Sequence, residues 1–306
     1  MTELFTYRDN IEGKVGIGKL PSELHPILND IAKEYYNMIP DKSTTTYHTY
    51  YADLTGILKA YFDKIQYNEF WYNICDNTHN CISQCVTEMN ELYYSNPKPN
   101  FEKTNLYGAA ANLIPHKDCI LYNFYGIRFY RIIIGLTGGN NDTSTEFINL
   151  NLEHKINNGD YMIFDFDRTL HQVKKIGQQE TPRILLKLHF IVCENCDYSE
   201  NYVNFISYFY KYYYYFARYT EQLGTDPQTF TGFFFGLLWE WPFYPQFKYI
   251  VCTLFVANIL LLNSVYKIKF TVENIGKLLL YSCSSMFITY LAIVLFYYCS
   301  YVLANI

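Results

Sequence analysis

The chain has 306 residues, enough for one large domain or two small ones around a buried core. Its net charge is −5 and no segment concentrates Lys or Arg, which argues against a nucleic acid as partner, because phosphate chains demand a concentrated basic surface. Aromatic residues make up 19 % of the chain, with 33 Tyr and 23 Phe, and they crowd beyond position 200. Rings that are apolar at one end and wet at the other accumulate at membrane interfaces.

In chain order, residues 1–100 read as mainly helical and as packing on a core that follows. Helices are expected over Leu24–Met38, Leu54–Ile65 and Asn80–Tyr94, and Asn96-Pro97-Lys98-Pro99-Asn100 stops the pattern as a Pro-rich turn. Met1–Gly16 holds no apolar run, so no cleavable leader is expected. Residues 101–200 read as strands, over Tyr130–Leu136, Phe147–Leu152, Tyr161–Phe166 and Arg183–Cys193, separated by the turn-formers Gly138–Asp142 and Asn157–Asp160. Short strands at such spacing favour a sandwich or jelly roll. The nine cysteines form no tidy framework. Cys193-x-x-Cys196 has no second CxxC to complete a zinc site, so plain thiols are expected, with half a zinc site or a redox pair as alternatives.

Residues 201–248 form an aromatic juxtamembrane segment; Tyr202–Tyr219 is expected to lie along a membrane surface or to form the domain's last helix, and Phe230–Phe247 to be interfacial. Residues 249–306 follow as two transmembrane helices, about 249–266 and 278–303. Tyr249–Tyr266 runs 18 residues and Leu278–Ile306 runs 29 without a charge. An 18-residue helix is about 27 Å long, close to a bilayer's hydrocarbon core. Lys267, Lys269 and Lys277 lie between the spans and, counted as cytosolic, would put the large domain outside. The lack of a leader and the free thiols weigh the other way, towards an integral membrane protein with its catalytic domain in the cytosol.

The chemistry concentrates in His116-Lys117-Asp118, in His171 53 positions after Asp118, and in Arg183 12 further on. Two imidazoles and a carboxylate can occupy one face of an octahedral metal and leave the opposite positions open. An arginine behind them can hold a dicarboxylate through two charged hydrogen bonds. The arrangement suggests a non-haem iron oxygenase. Strand alternation puts Arg183, Leu185, Lys187 and His189 on one face of the last strand, lining a polar cavity, and Ile184, Leu186, Leu188 and Phe190 on the packed face. Gly138–Thr145 is a candidate lid.

Four segments in order, Asn112–Cys119, Tyr130–Leu136, Asn157–Val173 and Thr181–Val192, resemble the aspartyl/asparaginyl β-hydroxylase family of Fe(II)- and 2-oxoglutarate-dependent oxygenases. The resemblance spans Asn112 to Cys193, a little over a quarter of the chain. It implies His116 and His171 as iron ligands and Arg183 as the 2-oxoglutarate anchor, with Arg131 as a second co-substrate arginine. Animal members of the family carry Gly where this chain offers Asp118, so Asp118 as third ligand follows from its chemistry. His189 shares the face of Arg183 and can hydrogen-bond the co-substrate.

The expected fold class is therefore α+β: a double-stranded β-helix (jelly-roll) core with N-terminal helices and a C-terminal transmembrane hairpin. The expected function is a membrane-anchored Fe(II)/2-oxoglutarate-dependent hydroxylase acting on Asp or Asn of a protein. Hydroxylation of a lipid acyl chain at the bilayer is the alternative within the enzyme reading. A non-catalytic membrane-tethered binding protein on a degenerate oxygenase fold is the alternative outside it.

Overall fold

The structure, a computed structural model, describes residues 15–42, 46–75, 81–96, 115, 127–137, 143–166, 168–175, 181–193, 196, 198–224, 229–240, 247–266 and 271–304. Strands β1 (Val15–Lys19), β2 (Thr46–Tyr50), β3 (Ile82–Cys85), β4 (Glu91–Ser95), β5 (Ile127–Gly135), β8 (Asp160–Asp165) and β10 (Arg183–Cys193) form one antiparallel sheet in the order β1-β8-β5-β10-β4-β2, with β3 also on β10. Strands β6 (Thr143–Phe147), β7 (Leu152–His154) and β9 (His171–Lys175) form a second antiparallel sheet, ordered β7-β6-β9. Among the described residues the α-helices are α1 (His25–Met38), α2 (Gly56–Gln66), α3 (Glu200–Gly224), α4 (Phe230–Glu240), α5 (Phe247–Tyr266) and α6 (Val272–Ala304).

β10 is the axis of the large sheet. Its even-numbered residues Ile184, Leu186, Leu188, Phe190 and Val192 join Ile132 and Ile134 of β5 in one apolar cluster. α1 and α2 close that cluster with Leu28, Ile31 and Tyr35, and with Leu58, Phe62 and Ile65, residues spaced to share a helix face. The odd-numbered residues of β10 face the other way, where Leu185 and Ile191 cluster with Phe164 of β8 and Phe147 of the small sheet.

β10 has two partners on one flank. β4 pairs with Arg183–Lys187 and β3 with Phe190–Cys193. Between them a short 3-10 turn, Thr87–Met89, interrupts the ladder. At that gap the backbone of His189 is completed by Val86 N–H, which donates to its carbonyl (2.9 Å), and by the Asn90 side-chain oxygen, which accepts from its N–H (2.7 Å). The helix expected over Asn80–Tyr94 is thus replaced by two strands. Pairing with β10 and burial of Leu92, Tyr93 and Tyr94 override a weak helical preference.

The strand expected over Phe147–Leu152 is in fact a tight hairpin. Ile148–Leu150 form a 3-10 turn and Asn151 takes the left-handed conformation (φ 48°) before β7 starts. Cys193 and Cys196, expected as thiols, are joined in a disulfide, as are Cys75 and Cys81. The first pair stands at a Cα separation of 5.1 Å, well within bonding range. Cys85, Cys283 and Cys299 are free among the described residues.

The chain divides into two compact units, residues 1–216 and 217–306. In the second, Asn258 of α5 donates to the Ser282 carbonyl of α6 (3.4 Å), and Tyr290 of α6 donates to the Phe234 carbonyl of α4. α6 contains a 27-residue apolar stretch, Asn274–Ser300, that by length and composition can cross a membrane. The described apolar stretch of α5, Thr253–Ser264, is shorter, so one candidate span stands where a hairpin of two was expected.

Leu186 is fully buried between the sheet and its helices. Truncation to Ala should cost about 2–5 kcal/mol, measurable as a lower denaturant midpoint of the detergent-solubilised chain.

Candidate active site

His171 opens β9 and is 5 % exposed. Its Nδ1 lies 3.0 Å from the carbonyl oxygen of Thr169. A carbonyl only accepts, so Nδ1 carries a proton. The ring is wedged edge-on against Phe164 (4.8 Å between centroids), and Phe147 packs beside it (6.3 Å). Metal-ligating histidines commonly have one ring nitrogen fixed in this way by a backbone carbonyl.

Phe164 belongs to a row that crosses four strands. Val15, Phe164, Arg131 and His189 stand opposite one another on β1, β8, β5 and β10. The Arg131 Nε–H donates to His189 Nε2 (2.9 Å), and its guanidinium carbon sits 4.7 Å over the Phe166 ring. An arginine has no acceptor, so His189 Nε2 must accept and its proton must sit on Nδ1. Arg131 and His189, expected near the co-substrate, are therefore joined directly to each other and placed at the level of His171.

Arg183 begins β10 on the same inward face and is 6 % exposed. Burial makes its charged form costly and lowers its pKa, with Tyr93 pulling weakly the other way. Arg183 and His189 are six residues apart, about 20 Å along an extended strand. The two arginines thus mark opposite ends of one inward-facing row. Asp165, a conceivable ion-pair partner for Arg183, is instead paired with Arg128 (3.0 Å).

Between those ends lies a cluster that sequence reading missed. Lys187 Nζ is 2.6 Å from Glu91 Oε1, and His48 Nδ1 is 2.9 Å from Glu91 Oε2. Tyr93 lies under both, 4.5 Å from Lys187 Nζ and 4.8 Å from the His48 ring. Burial pushes the Glu91 carboxyl up, but Lys187 and His48 together outweigh it and hold it well below the usual carboxylate range. Alternation of Glu91 and Tyr93 in a strand was the available signal, hidden by reading Asn80–Tyr94 as helix.

His116 and Asp118 lie outside the described residues, as do Cys119, Asp167, the 97–100 turn and residues 138–142 of the candidate lid. Thr143–Thr145 of that lid are in β6. Ile127, where β5 begins, pairs with Cys193 at the end of the sheet where β8 also finishes, the end that His171 occupies. Among the described residues no three His, Cys, Asp or Glu side chains cluster as metal ligands. His171, with Nδ1–H on the Thr169 carbonyl and its ring held against Phe164, has the setting for such a ligand.

No family model and no curated protein matches the sequence. Solved structures similar to the chain include a viral collagen prolyl hydroxylase from Paramecium Bursaria Chlorella virus-1, in a truncated form. It is 16 % identical, the match covers 58 % of this chain and 89 % of that one, and the TM-score is 0.37. The same viral enzyme in complex with 2OG matches at 15 % identity over 57 % and 95 % of the two chains, with a TM-score of 0.35. The non-heme alpha-ketoglutarate-dependent epimerase SnoN from nogalamycin biosynthesis matches at 11 % identity over 57 % and 76 %, with a TM-score of 0.39.

Two outcomes test this geometry. Glu91→Gln should destabilise the fold by about 3–5 kcal/mol near neutral pH, because Lys187 loses its buried partner. Glu91 has a lowered pKa, so its ionic contribution is complete above the unfolded carboxyl value of 4.5 and fades as pH falls through the folded value. The gap between wild type and variant in denaturant unfolding should therefore narrow below pH 4.5. Asn90→Ala leaves the buried His189 N–H without its acceptor and should cost about 1–3 kcal/mol, with faster amide exchange at His189.

Proposed function

We propose that the chain is a membrane-anchored Fe(II)/2-oxoglutarate-dependent hydroxylase on a jelly-roll core. The observation that carries the reading is His171, a buried imidazole with Nδ1–H fixed on Thr169, on the same inward side as a buried Arg183. In this reading His116, Asp118 and His171 hold the iron, and Arg183 pairs its guanidinium fork with the distal carboxylate of the co-substrate. Bound Fe(II) and 2-oxoglutarate would supply the oxidising chemistry, in which O2 converts the keto acid to succinate and CO2 and places one oxygen atom in a C–H bond.

The chain's own residues do the rest. Thr169 holds the His171 proton on Nδ1, away from the ligating nitrogen. Phe147, Phe164 and Phe166 are buried around that end and exclude water. His189 steadies Arg131, and Glu91 neutralises Lys187, so the inward row keeps defined charges at its two ends. Asp or Asn of a protein is the substrate we put first, following the four-segment resemblance. The apolar surface of α6, where Leu280, Ile288, Phe296 and Leu303 are exposed, favours an anchor in the bilayer and keeps a lipid acyl chain as the second reading.

The two disulfides take away the free-thiol ground for a cytosolic domain. Bridged cysteines persist in oxidising compartments. We infer that residues 1–216 face away from the cytosol.

Detergent-solubilised full chain should release succinate from 2-oxoglutarate with Fe(II) and O2, and His171→Ala should abolish it. Undiminished succinate in that variant would contradict the assignment, and none from wild type would favour the non-catalytic binding protein. Arg183→Ala should raise the 2-oxoglutarate KM about 30-fold or more, and Arg183→Lys should not restore it. Mass spectrometry for the gain of one oxygen atom, on membrane proteins and on lipids in parallel, separates the two substrate classes.

A further inference from the structure

α3 has two unlike faces. One is buried on the large sheet: Val203, Ile206 and Tyr210 are in the inward cluster, with the Tyr210 ring 3.9 Å from Phe129. One turn on, the Tyr214 ring lies 6.2 Å from His189, so this helix forms part of the cover over the inward row. The other face carries Phe205, Tyr208, Tyr212 and Phe216, spaced at three and four residues so that they share one side of the helix. They are exposed by 61, 60, 52 and 64 %, and Phe209 flanks them at 41 %.

We propose that this aromatic face of α3 lies in the interfacial layer of a lipid bilayer. Its chemistry suits that layer: phenyl rings bury among acyl ends while phenol hydroxyls stay among headgroups. Tyr208 donates to the hydroxyl of Tyr212 (3.0 Å), which pairs the polar ends of two adjacent rings. Between Glu200 and Arg218 the only charge is Lys211, and it turns to Glu88 (2.5 Å), so docking desolvates no ion on this face. A contiguous exposed apolar strip marks an interaction surface, and the same chain carries a helix able to cross a membrane.

The consequence is positional. A helix is about 10–12 Å thick with its side chains, so the row of Arg131 and His189 sits about one helix diameter from the headgroups. Taken with the hydroxylase reading above, on which this last step rests, substrates reach the site along the membrane surface. The docking itself does not depend on that reading.

Hydroxyl-radical footprinting of the full chain in phosphatidylcholine nanodiscs, one chain per disc, tests the docking without any activity assay. Tyr67, 55 % exposed on the same unit, serves as the water-facing reference. Tyr208 and Tyr212 should be oxidised several-fold more slowly than Tyr67, while buried Tyr210 stays protected as a check on folding. The double variant Tyr208→Glu/Tyr212→Glu should raise oxidation at Phe205 and Phe216 towards that of Tyr67. Rates at Tyr208 and Tyr212 equal to Tyr67 in single-chain discs would overturn the proposal. Protection seen only with several chains per disc would assign the face to a second copy and overturn it equally.

Discussion

The cost of burying cations on the inward face of β10 shapes everything around it. This strand is covered on both sides, yet Arg183 and Lys187 lie on its inward face, beside Arg131 of β5. An isolated charge in such a place would be expelled or neutralised. Each of these residues meets a defined solution. Lys187 has Glu91, His189 accepts from Arg131, and Arg183 has the length and fork to take a carboxylate. The small sheet, the turn before β9 and the buried side of α3 all close over that row.

The same constraint explains the irregular flank of β10. Two short strands, β3 and β4, share one edge, and the break between them falls at His189. Asn90 closes the break from its side chain and also donates to Gln66 (2.9 Å) and to the Cys85 sulfur (3.3 Å). Burial pushes the Cys85 thiol up to about 11, so it stays a neutral packing group beside this network. The Cys193–Cys196 bridge then fixes the exit of β10 just before α3 begins, and α3 carries Tyr210 and Tyr214 onto the row. Backbone completion, the bridge and the helix all act on His189, which accepts from Arg131.

Much of this was legible in the sequence where a single periodicity dominated. The alternation in Arg183–Cys193 set both faces of β10, and α1 and α2 followed from apolar spacing. Reading failed where long-range pairing outweighed local preference. Asn80–Tyr94 carries Glu, Gln and Met, which suit a helix, but only a partner 90 or more residues away, β10, makes it two strands. That error hid Asn90, Glu91 and Tyr93, and with them the pairing of Lys187. The hairpin at Asn151 escaped because a left-handed non-glycine residue leaves little local signal. For the site, His171 and Arg183 stood out by chain order, whereas the proton on Nδ1 depends on Thr169, whose carbonyl no sequence pattern reveals.

The central claim is that a metal held by His171 and a buried arginine of the inward face bind the two ends of one dicarboxylate. Anaerobic calorimetric titration of the full chain with 2-oxoglutarate and with glutarate, each with and without Fe(II), tests it most directly. Both acids carry two carboxylates, but only the first has the keto oxygen needed to chelate. The account predicts that Fe(II) tightens binding of 2-oxoglutarate and not of glutarate, and that Arg183→Ala weakens both acids. Equal binding of the two acids, with or without the metal, would contradict it.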